Sequence, residues 1–323
     1  MVSLEQIREE MLKWDNFILM GHVDPDGDCI GSLFALKWYL ESINKSSLVL
    51  LTEELAEKYA ILGIKDSDYR LFQDYSLTAR EDTCYIALDA GNSDRLGAGE
   101  KLVDRVFLIN MDHHVDNPLY GKLNYVNPEK AAVGEIIYDL IKLDEEYQLN
   151  RKIATAIATA IVSDTGAFRY QNTSSGVFRI MAELMETGID VYGINRAMFS
   201  NYHYSVLKLL GQALSSLEIS ADGKVAYLRV EQGMLEESGA EISESSGLVN
   251  YARDIYGVEV GISFIEEEEN ITRVSFRSNE YCPVNEVAAY FGGGGHPRAA
   301  GCTINKGIDQ AVELVLQKVK EYV

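Results

Sequence analysis

Apolar residues in the first half of the chain fall into short continuous runs separated by stretches with helical spacing. Phe17, Ile18, Leu19 and Met20 form the first run and predict a buried strand over residues 17–20; beyond Ile30 the apolar positions recur at helical spacing and predict a helix over 31–42. Further strands are expected over 48–51, 83–88 and 105–111, and helices over 53–62, 131–143 and 153–162. Asn172-Thr173-Ser174 reads as the cap of a helix running through Glu186, and Ser3 with Gln6 as a capping box near the N-terminus. Strands alternating with helices are the βαβ rhythm of a parallel sheet. Residues 188–204 lack a strong period and read as a connector. After it, a helix over 204–216, a hairpin over 217–230 turning at Ala221-Asp222-Gly223, and β-rich runs over 258–265 and 271–276 predict a mixed domain, with Glu266 to Glu269 as a solvated hairpin tip. The expected class is therefore α/β: a parallel-sheet domain over 1–188, a connector over 189–205, and a smaller mixed α/β domain over 206–323, with a cleft between the domains.

Composition is consistent with that division, since 47% hydrophobic residues in 323 are ample for two cores. No stretch approaches the length of a membrane span, and the acidic, amphipathic N-terminal segment does not resemble a signal peptide, so the cytoplasm is the expected location. The four cysteines, Cys29, Cys84, Cys282 and Cys302, are widely spaced and are expected to be reduced. A net charge of −21 argues against long duplex or single-stranded nucleic acid, which proteins grip with clustered Lys and Arg. Metal ions and a few arginines can still hold a short phosphate-bearing ligand.

The candidate chemistry centres on GHVDPDGDCIGS. It sets His22, Asp24, Asp26 and Asp28 into one tight turn between the first strand and the first helix. Asp-Pro and Asp-Gly are ordinary turn formers, but three alternating acids beside a histidine repel one another in a way a turn does not require, and a divalent cation compensates them. The strand over 83–88 ends in Asp89 and the next in Asp112-His113-His114; strand ends of an open α/β sheet share one edge, which makes these residues further ligand candidates, with Asp164 at a helix end. Near the C-terminus FGGGGHPRAAG joins Gly293, Gly294 and Gly295 to His296 and Arg298. Bare backbone, an imidazole and a fixed positive charge suit a phosphate. Arg277-Ser278 at a strand end and Arg253 on an expected helix could add contacts. Four of the five histidines fall in these clusters; His203 has no assigned role.

GHVDPDGDCIGS, LDAGNSDRLG, MDHH, SDTGAFR and GGGGHPRAAG occur in this order. In this the chain resembles the DHH phosphoesterases that carry a DHH-associated C-terminal domain, and within them the nanoRNase branch of oligoribonucleases that are also 3′-phosphoadenosine 5′-phosphate phosphatases. The resemblance implies two Mn²⁺ ions, with Mg²⁺ or Co²⁺ as possible substitutes, one held by His22, Asp26 and Asp89 and the other by Asp28, Asp89, His113 and Asp164. It further implies that His114 faces the scissile phosphate, that Asp112 orients the histidines, and that Asp24 gives supporting hydrogen bonds. Arg253, Arg277, Ser278, Gly293, Gly294, Gly295, His296 and Arg298 would bind the rest of the substrate. One departure is Ala131-Ala132-Val133-Gly134-Glu135, where many relatives have Ser or Thr, so no hydroxyl contact is expected there. The implied activity is hydrolysis of di- to pentanucleotides to mononucleotides and of 3′-phosphoadenosine 5′-phosphate to AMP. A phosphodiesterase for linear dinucleotides such as pApA, a metal-dependent nucleotide sensor, and a homodimeric assembly all stay open. The charge disfavours a RecJ-like exonuclease, and the C-terminal motif disfavours a family II pyrophosphatase.

Overall fold

Each apolar run of the first half becomes a strand, and every such strand lies in one parallel sheet. A computed structural model describes residues 1–76, 78–245 and 247–323, which divide into two units, Met1–Asn201 and Tyr202–Val323.

The first unit opens with α1 (Leu4–Met11), closed at its start by the Ser3/Gln6 capping box. It continues through β1 (Asn16–Met20), α2 (Gly27–Ser42), β2 (Ser46–Leu51), β3 (Tyr69–Leu71), β4 (Thr83–Leu88), β5 (Phe107–Asp112) and β6 (Leu123–Val126). Four helices follow: α3 (Val133–Lys142), α4 (Arg151–Asp164), α5 (Ser175–Glu186) and α6 (Val191–Phe199). The strands pair in parallel in the order β3-β2-β1-β4-β5-β6. That order reverses direction between β1 and β4, the place where open α/β sheets bind ligands. Phe17, Leu19, Ile86 and Leu88 pack into the helical core of α2, α3 and α4. Ile18, Met20, Tyr85 and Ala87 face a second cluster with Phe72, Leu96 and Leu102. Burial of both faces explains why these strands are continuously apolar.

Several elements differ from expectation. β3 and β6 are short edge strands whose few residues gave no signal. Residues 53–62 hold only a 3₁₀ turn, Glu57–Leu62, which Gly63 ends in the left-handed region at φ 62°. The expected connector contains α6, capped by the Asp190 carboxylate accepting from Gly193 N at 2.9 Å and packed within the first unit on α4. Only Ile194 of α6 is buried, too little for a visible stripe.

The second unit comprises α7 (Tyr204–Ser215), β7 (Glu218–Ile219), β8 (Val225–Val230), α8 (Gln232–Ser238), α9 (Val249–Arg253), β9 (Val260–Glu268), β10 (Ile271–Ser278), α10 (Val284–Tyr290), β11 (Gly294–His296), β12 (Ala299–Ile304) and α11 (Ile308–Val319). Its sheet runs β11-β12-β10-β9-β8-β7, with β8 and β9 parallel and the remaining pairs antiparallel. Val260, Ile262, Phe264, Val274 and Phe276 form its core with α10 and α11. Among the described residues, no helix is long and apolar enough to cross a membrane.

Candidate metal centre

β1, β4 and β5 end side by side, and the residues that follow them converge. After β1 the chain reaches His22 and then Asp26, the N-cap of α2, whose Oδ1 accepts the amides of Asp28 at 3.0 Å and Cys29 at 3.1 Å. β4 gives way to Asp89 at φ 56°, a left-handed conformation that Asp tolerates better than most side chains. β5 ends at Asp112 and leads into His113 and His114; α4 ends at Asp164.

Asp89, only 3% exposed, stands between two imidazoles: its Oδ2 is 3.6 Å from His22 Nε2 and its Oδ1 3.5 Å from His113 Nε2. β4 lies between β1 and β5 in the sheet, which is why a carboxylate at its end can meet residues from both neighbours. Asp26 Oδ1 is 3.8 Å from His22 Nε2. Asp28 Oδ2 and Asp164 Oδ2 are 3.9 and 3.5 Å from His113 Nε2. Such spacings are longer than hydrogen bonds and suit adjacent donors on one cation with bonds of about 2.0–2.2 Å. Both rings are fixed from behind, His22 Nδ1 donating to Val23 O at 2.7 Å and His113 Nδ1 to Lys130 O at 3.1 Å, so each Nε2 faces the carboxylates.

Three groups of ligand atoms, each within 4.8 Å of one another, occur among the described residues: Asp28 with His113 and Asp164, Asp89 with His113 and His114, and His22 with Cys29 and Asp89. Imidazole and carboxylate donors fit a hard to borderline divalent cation. The cysteine was not expected there; burial raises its thiol well above the ordinary range, which keeps it a neutral neighbour. All four cysteines are free and buried.

Charge in the cluster is unbalanced. Burial, then the neighbouring Asp89, push the Asp28 carboxyl up to about 7, and burial with Asp28 and Asp26 raises Asp164 as well. For His22, burial alone would favour the neutral ring, but Asp26 and Asp89 outweigh it and lift the ring to about 11; Asp89, Asp28 and Asp164 lift His113 likewise to about 11. The carboxylates thus demand positive charge, which protons or a divalent cation can supply.

The sequence did not disclose the groups that hold Asp28. The Ser32 hydroxyl donates to its Oδ1 at 2.9 Å, and the first amides of α3, Val133 and Gly134, donate to Oδ2 at 2.6 Å and Oδ1 at 2.9 Å. A Cβ on Gly134 would lie 2.5 Å from Ala160 Cβ, so glycine is what lets α3 begin this close to α4. Backbone amides therefore act where a hydroxyl contact was missing. His114 is oriented by its Nδ1, 2.8 Å from Asp112 Oδ1. Asn117, also missed, donates to Asp112 Oδ2 at 2.6 Å and accepts from Asn110 at 3.0 Å. Burial would raise the Asp112 carboxyl, but His114 and Asn117 hold it below its usual range, while Asp112, opposing burial, raises His114. The only available signal was an amide just past the paired histidines. Asp24 is exposed at φ 53°, and among the described residues its carboxylate makes none of the supporting hydrogen bonds expected of it.

In the second unit, the other candidates gather around the end of β10. Arg277 and Ser278 are its last residues, Ser278 N bonds to Arg298 O at 3.1 Å, and Asn279 Nδ2 bonds to Arg253 O at 3.0 Å. Arg253 pairs with Asp254 at 2.7 Å. The glycine run is part of a hairpin, not an open loop: Gly294–His296 forms β11, and a Cβ on Gly293 would meet Gly301 O at 2.1 Å. Gly295 has φ 138°, and His296 is exposed.

Residues 16–161 match the model of the DHH family, N-terminal domain, and residues 222–323 that of the DHHA1 domain. The chain is 34% identical over 303 residues to the bifunctional oligoribonuclease and PAP phosphatase NrnA of Thermus thermophilus, covering 93% of this chain and 88% of that protein. It is 31% identical over 305 residues to the protein of the same name from Bacillus subtilis, covering 90% of each. An exopolyphosphatase-related protein from Bacteroides fragilis has the same fold, with a TM-score of 0.92 at 25% identity over 99% of this chain and 96% of that one. With both domain matches and relatives of that similarity along nearly its whole length, the chain belongs to the DHH family and is a phosphoesterase, a hydrolase.

Proposed function

We propose that the chain hydrolyses di- to pentaribonucleotides to mononucleotides and removes the 3′-phosphate of 3′-phosphoadenosine 5′-phosphate to leave AMP. The observation that carries this reading is Asp89, with one carboxylate oxygen 3.6 Å from His22 Nε2 and the other 3.5 Å from His113 Nε2, the arrangement expected of a bridge between two cations. The names of the Thermus thermophilus and Bacillus subtilis relatives support the substrate class. His22, Asp26 and Asp89 would hold one ion, and Asp28, Asp89, His113 and Asp164 the other. Mn²⁺ is the proposed metal, with Mg²⁺ or Co²⁺ as substitutes, because imidazole donors suit Mn²⁺ better than Mg²⁺. When bound, two such ions supply a water of lowered pKa and Lewis-acid stabilisation of attacking and leaving oxygens.

The chain's own side chains do the rest. Asp112, 2.8 Å from His114 Nδ1 and itself fixed by Asn117, orients that imidazole to deliver a proton to the leaving oxygen. Arg253, Arg277, Ser278, His296 and Arg298, with the backbone of Gly293, Gly294 and Gly295, bind the remaining phosphate and nucleotide. The proposed setting is the cytoplasm, with short RNA or nucleotides as partners.

Asp89→Asn tests the reading, since Asn keeps the shape and accepts the left-handed conformation but cannot bridge two cations as a carboxylate does. It should stay folded, lose Mn²⁺ by metal analysis and be nearly inactive on a dinucleotide. Hydrolysis near the wild-type rate would refute the two-metal assignment.

A further inference from the structure

The second unit buries a carboxylate that has no part in the chemistry above. Glu259, 4% exposed, accepts the amides of Tyr281 at 2.8 Å and Cys282 at 2.7 Å on Oε1, and that of Glu280 at 3.1 Å on Oε2. A buried carboxylate is unfavourable unless hydrogen bonds replace water, and three successive amides do so here while pinning residues 280–282 in one conformation. Cys282 is fully buried, and Pro283 restricts the following backbone. Between these anchors Tyr281 is 51% exposed.

The same turn carries a cation. Cys282 O accepts from Arg298 Nη1 at 3.0 Å and from Ser278 Oγ at 2.7 Å. Arg298 is gripped through that one nitrogen, which also lies 3.3 Å from Ser278 Oγ; its other two nitrogens make no bond among the described residues. An exposed aromatic residue on a pinned backbone therefore directly precedes, in sequence, the residue whose carbonyl anchors a guanidinium. That pairing suits a ligand with an anionic phosphate beside a flat base. Two other exposed tyrosines of this unit do not share it. Tyr290 has the Lys318 ammonium 4.5 Å over its ring, and Tyr256, 103% exposed, projects freely into solvent.

We propose that Tyr281 is a nucleobase-stacking residue and that Glu259 is the positioning residue that holds it beside Arg298. The inference rests on the oligoribonuclease reading and deepens it: the substrate is recognised by a base as well as by its phosphates. The test uses the full chain with Mn²⁺ and compares KM and kcat on an adenine dinucleotide and on its abasic analogue, which keeps the phosphodiester but has no ring to stack. Tyr281→Ala should raise KM for the dinucleotide by about tenfold or more with kcat retained, leave the second substrate unaffected, and be rescued by Tyr281→Phe, which keeps the ring. Glu259→Ala should reproduce the KM effect and Glu259→Gln, which keeps an acceptor oxygen, should recover it. Because a buried substitution can unfold the unit, the Tyr281 pair decides the stacking role by itself. An unchanged dinucleotide KM in Tyr281→Ala, or equal losses on both substrates, overturns the stacking role. Loss in Glu259→Ala without recovery in Glu259→Gln removes Glu259 from its positioning role. No dinucleotide turnover by the wild type would overturn the oligoribonuclease reading itself and this inference with it.

Discussion

Ser32→Ala probes how the centre keeps a fully buried carboxylate ready for a cation. The Ser32 hydroxyl, itself fully buried, donates to Asp28 Oδ1 at 2.9 Å, while the Val133 and Gly134 amides hold the same carboxylate from the other side. The substitution removes one oxygen atom, so the cavity is small and the main loss is a hydrogen bond to a charged acceptor, about 1.5–3 kcal/mol. With two amides remaining, Asp28 should stay near its place but be less well aimed. At 1.4 kcal/mol per tenfold, that cost weakens cation binding about 10- to 100-fold, the range usual for groups behind a ligand. Calorimetric titration of Mn²⁺ into wild type and variant measures it, and urea unfolding in chelator measures any loss of fold. One of two ions should weaken by at least about tenfold, because Ser32 touches Asp28 and neither His22 nor Asp26. Equal weakening of both ions, or an affinity within about twofold of wild type, would show that the hydroxyl does not position a ligand.

His114→Ala should lose about 10²–10⁴-fold in turnover yet keep its Mn²⁺, whereas His113→Ala should lose metal; equal metal loss in both would refute the division of roles. Arg298→Ala should weaken dinucleotide binding by about 1.5–3 kcal/mol, seen as a raised KM, and leave metal content unchanged; a drop in metal content would count against a substrate-binding role. Gly293→Ala places a Cβ 2.1 Å from Gly301 O and 2.5 Å from Cys302 Cβ, contacts that cannot yield easily, and should destabilise the second unit by about 1–3 kcal/mol in urea unfolding. Gly294→Ala meets nothing within 4 Å and should change stability by less than about 0.5 kcal/mol; comparable losses in both would contradict the hairpin geometry.

Much of the first unit was legible because its central strands are buried on both faces and stand out as unbroken apolar runs, three of them, β1, β4 and β5, leading into ligand-type residues such as His22, Asp89 and His113. Parallel pairing then implies the shared edge. What escaped was of two kinds. Edge strands β3 and β6, and helix α6 with its single buried residue, are too short or too polar to show a period. The amides that hold Asp28 come from α3, distant in sequence, and backbone donors leave no trace in residue type. The left-handed backbone of Asp24, φ 53°, likewise leaves no trace in residue type. In the second unit the glycine run was visible, but tight backbone crossing at Gly293 and an anion cradle call for the same residue, so sequence alone could not tell hairpin from loop.

The candidate ligands Asp28, Asp89, His113 and Asp164 span the chain from the start of α2 to the end of α4. A cation held among them would act as a non-covalent crosslink that closes three long loops of chain at one point, restricting the unfolded ensemble as a covalent link does. At a free concentration about a hundredfold above its Kd, such an ion adds roughly 2.7 kcal/mol to the stability of whatever must be folded to bind it. The second unit has its own core and contains none of these ligands. Cation depletion should therefore loosen the N-terminal unit selectively, so that the supply of free cation governs how long that half of the chain survives proteolysis as well as how fast it turns over.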